Sequence, residues 1–206
     1  MAKLTFTQFL TLDGVYQAPG GPDEDRRGGF EHGGWSFPFA DEDFGRFVSG
    51  VFDRVGAFLL GRRTYEIFAA YWPKVTDETD PVAARLNALP KYVVSRTLRK
   101  ADWNNSTVVS GDVAEEVARI KERTGGELQI HGSGALARSL MTHGLIDELN
   151  LLVFPVVLGS GMRLFTDGTP PTRFASISSS TTGKGVAIHT YRTAGRPEYG
   201  TFAPGE

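Results

Sequence analysis

Ile130-His131-Gly132-Ser133-Gly134-Ala135-Leu136 passes from an apolar strand through a glycine-rich turn into the start of a helix. That succession decides the class of fold. A strand that runs straight into a helix belongs to an α/β sheet whose connections cross its faces. Two glycines at the junction leave backbone N–H groups bare beside the positive end of a helix, an arrangement suited to a pyrophosphate. Leu136-Ala137 stands where the six-residue dinucleotide fingerprint would place its third glycine, so the stretch also fits a plain tight turn that needs glycine for geometry.

Working outward, the same succession recurs. Ala57-Phe58-Leu59-Leu60 reads as a buried strand stopped by Gly61, with Arg62-Arg63-Thr64-Tyr65 opening a helix that the pattern carries from Thr64 to Trp72. Two guanidinium groups and a hydroxyl at a helix N-terminus are donors for a phosphate, although an Arg-Arg pair is also an ordinary solvated surface. Tyr92-Val93-Val94 is a further buried strand, and Ser95-Arg96 at its end could hold a ribose 2′-phosphate or simply form a turn. Upstream, Leu4 to Leu12 alternates as a first strand ending at Asp13-Gly14. Phe44, Phe47, Val48, Val51 and Phe52 have helical spacing, and Asp112 with Glu115 has the form of a capping box. Downstream, a helix runs from Ala135 to His143, an apolar strand from Leu149 to Leu158, and a hairpin from Phe174 to Tyr191 turns about Gly183-Lys184-Gly185.

Between Pro19 and Pro38 lies a loop rich in glycine, proline and charge, long enough to be functional or mobile. Tyr16, Trp35 and the carboxylates Asp13 and Asp41 flank it, offering aromatic surface and hydrogen bonding to a flat heterocycle, or a proton during a reduction. Asp41 precedes a helix, where an N-cap is the alternative role. The chain holds 25 glycines in 206 residues, about 12% against an ordinary figure near 7%. They gather at the strand ends and in this loop.

Composition excludes several classes. With no cysteine there is no disulfide framework, Cys-ligated metal or thiol nucleophile. Four histidines without H-x-x-x-H or H-x-H spacing give little support to a metal site. A net charge of −2 argues against an electrostatic nucleic-acid binder. No run of about 18 apolar residues suggests a membrane span, and Met1-Ala2-Lys3-Leu4-Thr5 does not begin a signal peptide. A cytoplasmic protein with a small-molecule substrate is expected.

The motifs, taken in order, resemble a known family. Thr11-Leu12-Asp13-Gly14, Ala57 to Glu66, Tyr92 to Arg96 and Ile130 to Gly134 are similar to dihydrofolate reductase. Gly144-Leu145-Ile146-Asp147-Glu148-Leu149, Pro155 to Gly161 and Leu164-Phe165 are closer to the reductase domain of bifunctional riboflavin biosynthesis proteins. The resemblance implies an α/β, dihydrofolate reductase-like three-layer fold, with a mixed central sheet, helices on both faces and a C-terminal antiparallel hairpin. It implies a single domain over 1–193 and a loose tail over 194–206.

It also implies NADPH as cofactor, held by Gly61, Arg62, Arg63, Thr64, Ser95, Arg96 and the turn Gly132, Ser133, Gly134, Ala135 and Leu136. Trp35 to Asp41 is similar to the Trp-x-x-Pro-x-Asp stretch that carries the pterin-binding carboxylate, with one residue inserted. Asp41 and Asp13 are therefore the candidate catalytic groups, and Asp13, Tyr16, Trp35 and Asp41 the candidate substrate contacts. No zinc deaminase signature precedes the reductase-like part, and pairing as a homodimer through the sheets is expected. The implied activity is reduction of a pterin-, folate- or pyrimidinone-like molecule. The alternative is a nucleotide- or pterin-binding module without turnover on the same fold.

Overall fold

The computed structural model describes residues 1–77 and 79–202. In chain order its elements are β1 (Leu4–Thr11), α1 (Glu42–Asp53), β2 (Val55–Gly61), α2 (Arg62–Tyr71), α3 (Pro81–Ala88), β3 (Lys91–Val94), β4 (Ser106–Val109), α4 (Val113–Arg123), β5 (Glu127–His131), α5 (Gly134–Thr142), β6 (Glu148–Phe154), β7 (Phe174–Thr181) and β8 (Ala187–Thr193). The strands form one sheet in the order β4-β3-β2-β5-β1-β6-β8-β7. The first six are parallel, β8 pairs antiparallel with β6, and β7 antiparallel with β8. The sheet is thus mixed, and the last hairpin supplies its antiparallel edge.

The side-chain period of a strand sets the layers. On β2, Ala57 and Leu59 face a cluster completed by Val117 and Ile120 of α4 and Ala137 and Leu140 of α5. Their neighbours Phe58 and Leu60 face the opposite cluster, with Phe52 of α1, Tyr65 of α2 and Leu86 of α3. Both faces are buried, which is why β2 reads as a continuous apolar run. A third cluster lies under the long loop, where Val15, Phe30 and Trp35 pack on Leu152 and Phe154 of β6.

Helix starts follow local chemistry. Asp41, Asp80 and Asp112 cap α1, α3 and α4, each carboxylate accepting from backbone N–H groups of the first turn. α3 and β4 were not expected from the sequence. α3 carries the signal of an Asp N-cap followed by proline at its first position. β4 is a four-residue edge strand, too short to display alternation. The strand expected over Leu149 to Leu158 ends instead at Phe154. Pro155 has no N–H for the ladder, and the next N–H, that of Val156, turns back to Phe154 O at 2.8 Å. Residues 194–202 hold no helix or strand, though Arg173 exchanges backbone hydrogen bonds with Ala194 and Gly195. The rest of the expected loose tail, 203–206, lies outside the described residues.

Candidate functional site

Where strands β1, β2, β3 and β5 end, a cleft of about 1260 Å³ crosses the sheet edge. Drug-sized ligands occupy roughly 300–1,000 Å³, so this volume accommodates a dinucleotide with a second, smaller molecule. Gly61 to Thr64, Ser95, Arg96 and Gly132 to Leu136 all line it.

The N-termini of α2 and α5 meet there. Unlike the three carboxylate-capped helices, α2 has Gly61 as its N-cap and α5 has Ser133, and neither makes a side-chain capping bond. Their leading N–H groups therefore keep hydrogen-bonding capacity and a positive local potential. Ser133 instead cross-links the two ends. Its Oγ accepts from Gly61 N at 2.9 Å and donates to Thr64 Oγ1 at 2.8 Å, while its N–H donates to the same Thr64 oxygen at 3.1 Å. These bonds hold Ser133 at φ +55°, a left-handed conformation that a non-glycine residue seldom adopts.

The glycines of the turn have separate reasons. Gly132 has φ +59°. At Gly134 a Cβ would stand 2.8 Å from Tyr16 Cζ, so glycine lets the tyrosine ring lie against the helix start.

Charge on this edge is positive. Arg62 reaches Thr97 Oγ1 at 2.8 Å and Glu66 at 2.6 Å. Arg63 has only long contacts, 3.8 Å to Glu66 and 4.0 Å to Asp25. Arg96 is exposed and makes no ion pair among the described residues. Ser95 Oγ accepts from Thr97 N and Leu98 N, closing the turn after β3.

The long loop forms the opposite wall through Ala18, Pro19, Gly20, Glu24, Asp25 and Arg27. Gln17, 2% exposed, is its hub. Gln17 Nε2 donates to the carbonyls of Asp25 and Arg27, its Oε1 accepts from Met162 N, and its carbonyl accepts from the Trp35 indole. Burial works against ionisation of Asp25, but two-pronged hydrogen bonding from Arg27 holds its carboxyl below the usual range. Burial raises Glu24, whose Oε2 accepts from Gly20 and Gly21 N–H.

Three residues expected at the substrate do not reach the cleft. Asp13 is an anchor: Oδ1 accepts from Thr11 Oγ1 at 2.6 Å and Leu158 N at 3.2 Å, and Oδ2 from Gly159 N at 2.9 Å and Arg163 at 3.1 Å. The Thr11 hydrogen bond, with those from the loop N–H groups and Arg163, lowers its carboxyl to about 2. Its lone pairs are committed to tying the loop after β6 to β1. Asp41 caps α1 through Phe44 N and accepts from Lys184 N at 2.8 Å, bracing the β7–β8 turn, so the N-cap alternative describes it. Trp35 is 7% exposed and packs edge-on to Phe154 with ring centroids 5.2 Å apart. It pins the loop and offers no stacking face. Tyr16 alone of that set lines the cleft.

Other lining residues were not singled out from the sequence. Thr7, Gln8 and Phe9 come from the middle of β1, and Phe44, Val48, Val51 and Phe52 from one face of α1. A glutamine on the same face as Leu4, Phe6 and Leu10 of β1 was a readable signal. Gln8 is 2% exposed; its Nε2 donates to Phe9 O, and its Oε1 is buried without a partner among the described residues. Such an acceptor is costly unless a ligand completes it. His131 is buried as well, and desolvation lowers it to about 3, leaving a neutral imidazole. Among the described residues no group of three or more His, Asp or Glu could hold a metal ion.

The fold and the cleft have counterparts. Protein YyaP of Bacillus subtilis (strain 168), described only as uncharacterized, is 28% identical over 188 residues, spanning 90% of this chain and 92% of its own. A solved structure from Shewanella sp. PV-4, of a protein named for riboflavin biosynthesis, superposes with TM-score 0.71 at 22% identity, covering 94% of this chain and 99% of that one. Dihydrofolate reductase from Enterococcus faecalis, solved with NADP(H), superposes with TM-score 0.57 at 13% identity over 93% and 96% of the two chains. The architecture is that of the dihydrofolate reductase-like α/β fold. The model of the RibD C-terminal domain matches residues 2–188, and the chain belongs to that family.

Proposed function

We propose that the protein is an NADPH-dependent reductase of a flat heterocyclic small molecule of the pterin, folate or pyrimidinone type. One observation carries the reading: two uncapped helix N-termini, with Arg62, Arg63 and Arg96 beside them, face one cleft with room for a dinucleotide and a second ligand. The residues present fit the cofactor. The N–H groups at the starts of α2 and α5 would hold the diphosphate, Arg62 and Arg96 the 2′-phosphate, and Ser95 the adenosine side. Gln8 Oε1, buried and unpartnered, would accept a carboxamide N–H.

Bound NADPH supplies a hydride, to a C=N bond or to the carbon of a ring-opened sugar. The chain's own part is placement and exclusion of water. The loop pinned by Gln17 and Trp35 walls the cleft, and Tyr16 offers a ring against the helix start. Asp13 and Asp41 stand outside this scheme. A cytoplasmic homodimer, paired through its sheets, belongs to the same reading; no described helix is long and apolar enough to cross a membrane.

The test is titration of the purified protein with NADPH and NADH, followed by thermal shift and fluorescence. Arg62→Ala combined with Arg96→Ala should weaken NADPH about tenfold or more, the loss of a charge-assisted phosphate contact, and NADH far less. Equal losses would discard the 2′-phosphate assignment. Absence of binding by either nucleotide would refute the reading. NADPH binding without oxidation across a panel of dihydrofolate, dihydropterin and pyrimidinone compounds would instead support the non-catalytic module.

A further inference from the structure

The α1 side of the cleft has a chemistry of its own. Phe44, Val48, Val51 and Phe52 project from one face of α1, while the helix's acidic residues Glu42, Asp43 and Asp53 are exposed to solvent and absent from the lining. Phe9 of β1 and Phe68 of α2 extend the apolar wall. The two carboxylates that do line the cleft, Glu24 and Asp25, belong to the long loop and are engaged by Gly20 and Gly21 N–H and by Arg27. A cationic or strongly polar ring entering between α1 and the sheet would meet no carboxylate there.

What it would meet is His131, 8% exposed and among the lining residues. It is paired in register with Thr7 on the neighbouring strand, so both side chains rise on the α1 face. The tautomer of its ring follows from the hydrogen bonds around it. Gln129 Nε2 donates to Val51 O and Glu127 Oε2, both 2.8 Å away and both acceptors only. That orients the amide, so Gln129 Oε1 is the acceptor facing His131 Nε2 at 2.9 Å. Nε2 must therefore carry the proton, and Nδ1 is a bare acceptor. No partner for Nδ1 exists among the described residues. Phe52, with ring centroids 4.5 Å away, and Phe58, at 5.9 Å, hold the imidazole plane in place.

We propose that the α1 side of the cleft binds an uncharged, largely apolar planar ring, read by one N–H or O–H donor that it presents to His131 Nδ1. The inference rests on the reductase reading for the identity of the site, and it replaces that reading's pterin-, folate- or pyrimidinone-type substrate with a less polar ring bearing a single donor. A neutral acceptor among phenylalanines rewards a lactam-type N–H over the same ring without it, because only the N–H ring satisfies that nitrogen. It gives a protonated ring no counter-charge.

The probes are quinolin-2(1H)-one, which has a single N–H, and its N-methyl derivative, titrated calorimetrically at neutral pH with NADPH in excess. The N–H compound should bind about tenfold more tightly than the N-methyl compound, the value of one buried hydrogen bond. His131→Phe keeps a ring of similar size against Phe52 and Phe58, and should lower affinity for the N–H compound until the two probes are equal. Equal binding of the two probes to the wild-type protein overturns the proposal. So does a preference that survives in His131→Phe, which would be steric, and so does failure of both probes to bind.

Should the variant misfold, 15N-histidine-labelled wild-type protein gives the same answer. An unprotonated Nδ1 resonance should move on adding the N–H compound and not the N-methyl one; a protonated Nδ1 overturns the idea. The reductase reading fails separately: probe binding as described, with no NADPH binding, would leave the pocket assignment standing and remove the cofactor.

Discussion

Ser133 is the residue on which the proposed cofactor edge turns, and its removal has a magnitude that can be worked out. In Ser133→Ala the Oγ bonds to Gly61 N and Thr64 Oγ1 are lost together, while the left-handed backbone at φ +55° remains. At about 1 kcal/mol for each hydrogen bond, the variant should be less stable by about 2 kcal/mol. Ser133→Gly loses the same two bonds but relieves the left-handed strain, about 1 kcal/mol, so it should cost only about 1 kcal/mol. Thr64→Val removes the shared acceptor, and the double variant Ser133→Ala/Thr64→Val should cost less than the sum of the singles by about 1 kcal/mol. Urea denaturation of the wild type and the four variants measures this through the midpoint at constant m-value. If Ser133→Gly is no more stable than Ser133→Ala, the strain argument fails. If the two single losses add in full, Ser133 and Thr64 do not act as one cross-link, and the two helix ends are organised by something else.

Two other outcomes test the assignments of the titrating groups. Asp13→Asn keeps the shape but turns an acceptor into a donor beside Gly159 N–H, and should destabilise the fold by about 2 kcal/mol at neutral pH. Asp13 is lowered to about 2 from 3.8, so its contribution is complete above 3.8 and is lost as pH falls through about 2; in the variant this part of the acid limb should flatten, and an unchanged limb would contradict the anchor role. His131 is held at about 3 against an ordinary 6.5, so the unfolded chain binds the extra proton between these values and wild-type stability should climb with pH, by about 1.4 kcal/mol per unit at most, up to 6.5. His131→Phe should remove that climb in equilibrium unfolding followed from pH 4 to 7, and a parallel curve would mean that the imidazole is not held neutral.

The sequence made the edge of the sheet legible because β2 and β5 stop at Gly61 and Gly132 and pass directly toward a helix, while β3 passes into the polar turn at Ser95-Arg96. Apolar runs at Ala57 to Leu60 and Ile130 could only be strands buried on both faces, and residues adjacent in sequence to their ends had to lie at the sheet's carboxyl edge. Every cofactor residue named on that basis lines the cleft. The substrate side was not legible in the same way. Asp13, Trp35 and Asp41 were chosen by residue type beside a long loop, and the partners that take them from the cleft include Gly159 and Arg163, Phe154, and Lys184, each more than a hundred residues away. Residue type says what a carboxylate or an indole can do, and says nothing of which donors will claim it first.

His131 shows the same division from the other direction. Its place at a strand end was evident from the sequence. Whether it packs or reads a ligand depends on Gln129 and Val51, which fix its tautomer, and on Phe52 and Phe58, which strip its water.

Local periodicity and glycine placement therefore determined the α/β fold and the strand ends that line the cleft, because those follow from backbone sterics and from the faces that strands must bury. Only the tertiary structure decided which polar groups are spent as braces and which stay open, because hydrogen-bond partners and desolvation are set by residues distant along the chain. The loop that walls the cleft illustrates both. Its glycines and its length marked it as functional or mobile, but its place over the sheet edge rests on the side chain of Gln17, one buried amide that bonds Asp25, Arg27 and Met162 at once.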